Sequence, residues 1–314
     1  MAQAPEVIQA TLFSGELLPD VVPVNGIVNV ATVPQLSPFR YPGGKTWLAP
    51  RIRQWLSPAI RRRYGLRPLH PTQFIEPFAG GGIIGLTVAS ERLAQQVVMV
   101  ELDNDVAAVW QACLAELDSE WLARRMLTFE LTPEQVDALL AAEPQSIREQ
   151  AFQTIVRNRV NRGGILAPGA GRLKQGENGR GIRSRWYPAT LARRIRHITT
   201  LNERILFQAG DGLQVIEKYG DDPDAVFFLD PPYTAGQQGK RAGSRLYTHF
   251  ELDHERLFAL ASQLRGDVLM TYEDSEEVRS LAARHGFATR LIPMKNTHHA
   301  RMSELLIGRS LDWV

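Results

Sequence analysis

The segment LDPPYT, Leu229–Thr234, carries the residue types in this chain that are best suited to chemistry. Two consecutive prolines cannot continue the hydrogen bonding of a sheet, so the apolar stretch before them is predicted to be a buried strand that ends here. The carboxyl edge of an open α/β sheet is where ligands bind. An aspartate carboxylate and a proline carbonyl can accept both hydrogens of an exocyclic amine, and the tyrosine can stack on its ring. The alternative is a plain strand cap and turn. The predicted catalytic residues are Asp230, Pro231, Pro232 and Tyr233.

A glycine run, FIEPFAGGGIIGL from Phe74 to Leu86, offers a second functional pattern. Its glycines fit G-x-G-x-x-G after a predicted strand, and Glu101 ends the next strand, where an acid can hold a ribose. The pattern alone would also suit a dinucleotide or a tight turn. However, Glu76 at the loop would repel a pyrophosphate and attract an ammonium or sulfonium group. S-adenosylmethionine carries both cations and a ribose but no phosphate, so it is the predicted cofactor.

A third segment, PGGKT at Pro42–Thr46, ends like a phosphate-binding loop. The complete ATP-binding motif requires a glycine five positions before Gly44, and Phe39 stands there. We therefore interpret the two glycines as allowing the backbone to approach the methyl donor, with Tyr41 and Lys45 as its contacts.

The elements that would position these residues alternate between strand and helix. Apolar spacing predicts a helix over Lys45–Leu56, and a strand, helix and strand follow between about residues 73 and 103. Further strands at AVFFLDPPY and GDVLMTYED flank a helix from about Asp253 to Leu264. This alternation predicts an α/β fold with a parallel sheet and helices on both faces. Predicted domains are an N-terminal arm (1–37), a catalytic domain in two parts (38–111 and 205–314) and an inserted, partly helical domain (112–204).

Charge is concentrated in the predicted insertion. The whole chain of 314 residues has a net charge of +2, yet Arg157–Arg196 holds eleven basic residues and one acid, a local excess of +10. Arginines separated by glycines suit a surface that neutralises nucleic-acid phosphates, although a solvated loop is the alternative. The stretch after Tyr233 is predicted to be a loop that closes over the nucleic acid, with an ordinary connection as its alternative. The predicted nucleic-acid contacts are Arg157, Arg159, Arg162, Arg172, Arg180, Arg183, Arg185, Lys240 and Arg241.

Cysteine and histidine content argues against thiol or metal chemistry. Cys113 is the only cysteine, so no disulfide framework can form and a reducing compartment is expected. The pairs His249 with His254 and His298 with His299 lack a further ligand at metal spacing, so no metal is predicted. The sequence has no apolar run of roughly 18 residues and no signal-peptide pattern, which predicts no membrane association and a cytoplasmic location.

The four motifs RYPGGK, FIEPFAGGG, VELD and FLDPPY, in this order and with a basic insertion between the second pair, resemble the D12 class of DNA adenine-N6 methyltransferases. The resemblance extends from about residue 38 to 309. It implies a Rossmann-like S-adenosylmethionine-dependent methyltransferase fold whose insertion is a target-recognition domain, and it implies that Asp230–Tyr233 receives a flipped adenine. Tyr41 stands where many relatives have Trp, and Glu101 where many have Asp. The implied cofactor-binding residues are Tyr41, Gly43, Gly44, Lys45, Glu76, Pro77, Phe78, Gly80, Gly82, Glu101, Asp211 and Asp230.

The sequence thus predicts a monomeric, site-specific adenine methyltransferase acting on double-stranded DNA, of the kind that can accompany a cognate restriction endonuclease. The same chemistry on RNA or on cytosine N4 is an alternative, as is a DNA-binding relative without catalysis. A dinucleotide oxidoreductase is disfavoured by Glu76 and by the basic insertion. Carbon-5 methylation of cytosine through a cysteine nucleophile is disfavoured because Cys113 lies outside every motif.

Overall fold

The computed structural model describes residues 28, 30–176, 179–232, 248, 251–295 and 301–314. Within these ranges, seven strands form one sheet in the order β3-β2-β1-β4-β5-β7-β6. The strands are β1 (Gln73–Glu76), β2 (Gln96–Glu101), β3 (Ile205–Ala209), β4 (Ala225–Leu229), β5 (Asp267–Tyr272), β6 (Ala288–Lys295) and β7 (Arg301–Gly308).

Strands β1 to β5 are parallel, as the alternation of strands and helices predicts. The sheet differs from the prediction at β7, which runs antiparallel to both β5 and β6. Only residues 296–300 connect β6 to β7, too few for the crossover that a parallel neighbour requires. The fold is a Rossmann-like α/β fold with an antiparallel pair at one edge.

Eleven α-helices lie in the described ranges. They are α1 (Ala49–Leu56), α2 (Pro58–Arg63), α3 (Ile83–Glu91), α4 (Asn104–Leu114), α5 (Glu116–Thr128), α6 (Pro133–Ala141), α7 (Ile147–Val160), α8 (Pro188–Thr199), α9 (Gly212–Tyr219), α10 (His254–Gln263) and α11 (Glu276–Arg284). The helix predicted over Lys45–Leu56 begins as a 3-10 turn at Thr46–Leu48 and continues as α1.

The two faces of the sheet carry separate hydrophobic cores. Side chains alternate along a strand, so Phe228 of β4 faces one core while Phe227 and Leu229 face the other. The first core contains side chains of helices α1 and α3 to α8, and the second contains side chains of α9 to α11. Both layers cover the sheet, which explains why its central strands read as uninterrupted apolar runs.

The predicted insertion, residues 112–204, contains the end of α4 and all of α5 to α8, which lie between β2 and β3 along the chain. Its predicted start at residue 112 falls inside α4, and its predicted end at residue 204 directly precedes β3. Apolar side chains of α4, α5, α7 and α8 share one core with the sheet. The division into domains stays a prediction. Of the predicted N-terminal arm, residues 1–27 and 29 lie outside the described ranges.

Candidate active site

The strand order reverses between β1 and β4, and the acids that follow these strands meet there. Glu76 ends β1, Glu101 ends β2, and Asp230 follows β4 directly. All three line one cavity of about 320 Å³, a volume in the range of small-molecule sites. The structure brings all twelve residues of the predicted cofactor set to this cavity, together with Pro231 and Pro232. Tyr233 lies outside the described residues.

The glycine loop is shaped by close packing as well as by backbone conformation. Gly80 and Gly82 have positive φ angles of 47° and 59°, which non-glycine residues rarely adopt. The Tyr41 ring lies over Gly80, so a Cβ at that position would come within 2.7 Å of the ring. A Cβ at Gly82 would come within 2.6 Å of Trp110. The loop therefore has no room for side chains.

Glu101 is held by the loop beside it. One carboxylate oxygen accepts the backbone N–H of Gly80 at 2.8 Å, and the other accepts that of Asp103 at 2.9 Å. Burial raises the pKa of Glu101 to about 7, against the lowering effect of these hydrogen bonds. A carboxylate has about four acceptor positions, and the backbone of Leu102 also interacts with Glu101, so acceptor capacity for about one further hydrogen bond remains. A ribose hydroxyl can donate that bond.

Glu76 is also buried and is 3% exposed. It accepts the backbone N–H of Gly85 at 2.9 Å, near the start of α3. Burial raises the pKa of Glu76 well above its ordinary value, and the carboxylates of Asp230 and Glu101 raise it further. Three acids facing one cavity repel one another, and a cationic ligand would relieve that repulsion.

Asp230 is anchored by side chains from two other elements. Its Oδ1 accepts the Thr271 hydroxyl at 2.8 Å and lies 2.9 Å from the Lys45 ammonium nitrogen. Lys45 is 4% exposed and also lies 3.1 Å from Glu304 Oε1 and 2.8 Å from the Gly43 carbonyl. The sequence did not indicate Thr271 or Glu304, because they come from β5 and β7 and only the sheet order brings them to Asp230.

Asp211 begins the next helix beside the cavity. Its side chain accepts the backbone N–H of Leu213 at 2.9 Å and so caps α9. Gly212 packs directly on the backbone of Pro77, the residue after Glu76, since a Cβ at Gly212 would lie 2.4 Å from the Pro77 carbonyl oxygen. Asp211 thus has a structural role whether or not it also contacts a cofactor.

The predicted DNA-contacting arginines fall into three groups. The prediction that Arg159 contacts DNA is wrong. This side chain is 4% exposed and donates to the Pro38 carbonyl, and burial lowers its pKa to about 9. A side chain enclosed in this way does not reach a phosphate, so Arg159 leaves the predicted set. Arg157 pairs with Asp105 at 2.6 Å, and Arg172 pairs with Asp137 at 2.5 Å.

The remaining arginines of the set lie nearer the surface. Arg162, Arg180 and Arg183 are exposed, and Arg185 is half-buried. The Arg183 Nε donates to the Leu131 carbonyl at 2.9 Å, which fixes the base of this side chain on the helical region. Lys240, Arg241 and the predicted closing loop lie outside the described residues.

Metal and membrane features are absent from the described part of the chain. No three or more His, Cys, Asp or Glu side chains of the described residues are grouped to hold a metal ion, and His249, His298 and His299 lie outside these ranges. None of the described helices is long and apolar enough to span a bilayer. Cys113 is buried, and burial raises the pKa of its thiol to about 12.

A sheet whose strand order reverses beside a glycine loop, with acids at the ends of β1, β2 and β4, defines a Rossmann-like protein with a cavity at the position where such sheets bind ligands. Residues 41–159 match the model of the D12 class N6 adenine-specific DNA methyltransferase family, so the resemblance is confirmed over that range. The matched range contains the glycine loop and Glu101 and ends before Asp230. The match supports methyl transfer as the class of chemistry.

No curated protein sequence matches the chain. Among solved structures, it is similar to a candidate RNA methyltransferase from Pyrococcus horikoshii, with 12% sequence identity over 97% of this chain and 96% of that chain. The TM-score is 0.37. A likeness at this level carries no argument about substrate.

Proposed function

We propose that this protein transfers the methyl group of S-adenosylmethionine to N6 of a flipped-out adenine in double-stranded DNA. The observation that carries the proposal is the position of Asp230, which follows β4 and faces the same cavity as the glycine loop and Glu101. We infer adenine as the target base and DNA as the substrate from the name of the matched family.

The cavity fits S-adenosylmethionine in both charge and donor pattern. Glu76 and Glu101 are buried acids that a sulfonium and an ammonium group would stabilise, whereas a phosphate would be repelled. The acceptor capacity left on Glu101 suits a ribose hydroxyl. Tyr41, Gly43 and Gly44 also line the cavity. The cofactor would supply a methyl group already activated by its positive sulfur.

Asp230 would prepare the amine for attack. The lone pair of an exocyclic amine is delocalised into the ring, which makes the nitrogen a weak nucleophile. A carboxylate that accepts an N–H hydrogen favours a pyramidal nitrogen whose lone pair points away from the ring. Thr271 and Lys45 hold one oxygen of Asp230, and its side chain remains 21% exposed toward the cavity. The same carboxylate would receive the proton that the amine loses.

Basic residues outside the cavity suit a nucleic-acid substrate. Arg162, Arg180 and Arg183 are exposed in the helical region, within the segment of excess positive charge. Phosphate neutralisation by such arginines supplies much of the affinity for DNA. The same chemistry on RNA or on cytosine N4 is the nearest alternative, and a binding protein without catalysis is the next. An intact Asp230, held by two partners, favours catalysis.

The test is transfer of radiolabelled methyl from S-adenosylmethionine to unmethylated DNA, RNA and cytosine-rich DNA, followed by digestion to nucleosides. We expect label in N6-methyldeoxyadenosine only. Label in N4-methylcytosine or in RNA would show that the proposed substrate is wrong. Cofactor binding without transfer to any nucleic acid would refute catalysis.

A pair of variants tests the role of the carboxylate. Asp230→Asn keeps the shape of the side chain but weakens its acceptor, so we expect a loss of turnover of at least about a hundredfold, within the range typical of groups that position or deprotonate a nucleophile. Asp224→Asn makes the same chemical change at the other end of β4, on an exposed side chain. Its turnover should equal that of the wild type. Equal turnover in both variants would show that the amine is activated elsewhere.

A further inference from the structure

The chain that leads into the cavity, Ser37–Tyr41, is held by side chains of the helical region between β2 and β3. Arg194 of α8 donates to the Ser37 carbonyl at 3.0 Å, and Arg159 of α7 donates to the Pro38 carbonyl. We call residues 37–41 the entry segment. Its backbone is therefore bonded to helices rather than to the strands that carry the acids.

Asn158 makes the most specific of these contacts. Its Oδ1 accepts the backbone N–H of Arg40 at 2.9 Å, and its Nδ2 donates to the Arg40 carbonyl at 3.0 Å. The same Nδ2 donates to the Gly164 carbonyl at 2.6 Å. Asn158 is fully buried, so one amide group fixes both backbone polar groups of the residue directly before Tyr41.

Gly164 approaches the same residue from the other side. A Cβ at Gly164 would lie 1.9 Å from the Arg40 carbonyl oxygen, a separation that no packing adjustment of a flexible side chain could relieve. The neighbouring Gly163 has a similar positive φ, 65° against 75°, but its nearest neighbour would be Ile165 at 3.6 Å. Close contact with Arg40 is thus a property of Gly164 and not of the turn in general.

The position of Arg40 determines where the Tyr41 ring lies. That ring covers Gly80, since a Cβ there would come within 2.7 Å of it, and a Cβ at Gly81 would come within 2.7 Å of the Tyr41 Cβ and 3.3 Å of the ring. Phe39 packs against Tyr41 with ring centroids 6.1 Å apart and against Trp110 at 5.8 Å. The Trp110 indole N–H in turn donates to the Gly80 carbonyl at 3.0 Å. A shift of Arg40 would therefore move one wall of the cavity relative to the glycine loop.

We propose that Asn158 is a positioning residue for the cofactor pocket, acting through Arg40 to hold the Tyr41 wall, with Gly164 as the surface against which Arg40 rests. The inference rests on the proposed function in one respect, namely that S-adenosylmethionine binds in this cavity. Asn158 also lies in the last turn of α7, directly before the loop that carries exposed Arg162. That loop closes on itself, since Asn161 pairs with Arg172 and the Arg162 N–H donates to the Gly171 carbonyl. The Tyr41 wall and this basic loop thus share a common support.

The first test compares two buried amides of helix α7. Asn158→Ala removes the clamp on Arg40, whereas Gln153→Ala removes an amide that donates to the Leu139 and Ala142 carbonyls at 2.9 and 2.8 Å. Both variants lose hydrogen bonds to buried backbone, so both should lower the melting temperature. We expect the dissociation constant for S-adenosylmethionine, titrated at a temperature where both variants are folded, to rise about tenfold in Asn158→Ala and less than about twofold in Gln153→Ala.

The second test compares the two adjacent glycines. Gly163→Ala and Gly164→Ala both force alanine into a left-handed conformation, but only Gly164→Ala would push Arg40. Weaker cofactor binding in Gly164→Ala together with wild-type binding in Gly163→Ala would support the proposal. This pair also remains informative if Asn158→Ala does not fold.

The outcomes separate this inference from the proposed function. If the wild-type protein does not bind S-adenosylmethionine, the proposed function fails. If the wild type binds it and Asn158→Ala and Gly164→Ala bind it equally well, the inference fails and the proposed function stands. Equal weakening in Asn158→Ala and Gln153→Ala would reduce Asn158 to a general contributor to stability and would also overturn the inference.

Discussion

Cofactor binding should depend on pH through Glu101. Burial raises the pKa of this carboxyl to about 7, so it is about half protonated at neutral pH when the cavity holds no ligand. Protonation places a hydrogen on an oxygen that already accepts a backbone N–H, and it removes an acceptor position that a ribose hydroxyl needs. The ionised form is therefore the one expected to bind S-adenosylmethionine.

The size of the effect follows from that pKa. For one group that must be ionised, the dissociation constant should rise about twofold at pH 7, about elevenfold at pH 6 and about a hundredfold at pH 5, relative to its value at high pH. Calorimetric titration of S-adenosylmethionine between pH 5 and 8.5 measures this directly. Glu101→Gln should bind more weakly throughout and lose this component of the pH dependence, which separates it from titration of the cofactor amine and of Glu76.

Stability without cofactor should change in the opposite direction. A carboxyl whose folded pKa lies above its unfolded value binds more protons in the folded state, so its contribution to stability is full below about pH 4.5 and is lost as pH rises through about 7. A rise of this pKa from 4.5 to about 7 corresponds to about 3 kcal/mol of unfolding free energy. Cofactor affinity that is flat between pH 5 and 8, or an unchanged pH dependence in Glu101→Gln, would refute the reasoning.

Three further predictions concern packing, stability and DNA binding. Gly80→Ala should weaken cofactor binding because its Cβ would meet the Tyr41 ring. Gly65 is the control, since it has a φ of 68° and a Cβ there would have no atom within 4 Å. Gly65→Ala should cost only about 1 kcal/mol of stability and leave binding unchanged. Arg61→Ala should lower the unfolding free energy in denaturant titrations by about 3 to 5 kcal/mol, because it leaves the buried Asp267 carboxylate with the Trp55 indole N–H but without its cationic partner; a loss below about 1 kcal/mol would contradict this. Replacing Arg162 and Arg180 together by Ala should reduce the slope of log affinity for DNA against log salt by about 2, and an unchanged slope would mean that neither touches phosphate.

Local sequence patterns predicted the elements that carry the acids because each pattern is complete within a few residues. The apolar run before Asp230 ends at two prolines, and β4 ends at Leu229 as expected. The glycine run after Phe74 gives β1, a turn with positive φ at Gly80 and Gly82, and then α3. The carboxyl ends of parallel strands share one edge, so the meeting of their acids followed from the fold class alone.

Contacts between distant segments could not be predicted in this way. Glu304 reaches Lys45 only because β7 inserts next to β5, and no local pattern in the sequence specifies that order. Likewise, the local excess of basic residues predicted that Arg159 contacts DNA, although the fold encloses this side chain against Pro38. Charge density predicts where a basic surface lies, but burial decides which of its members reach solvent.

The entry segment connects these two kinds of information. Sequence motifs predict that Tyr41 contacts the cofactor, yet the backbone before it is bonded to α7 and α8, which the charge excess and the family resemblance predict to recognise nucleic acid. These helices also share a hydrophobic core with the sheet, so the region cannot be removed without exposing apolar side chains of both parts. A wall of the cofactor pocket that is supported from the predicted DNA-binding region gives a physical route by which binding at one could affect the other. By thermodynamic linkage, any such effect on affinity must be equal in both directions.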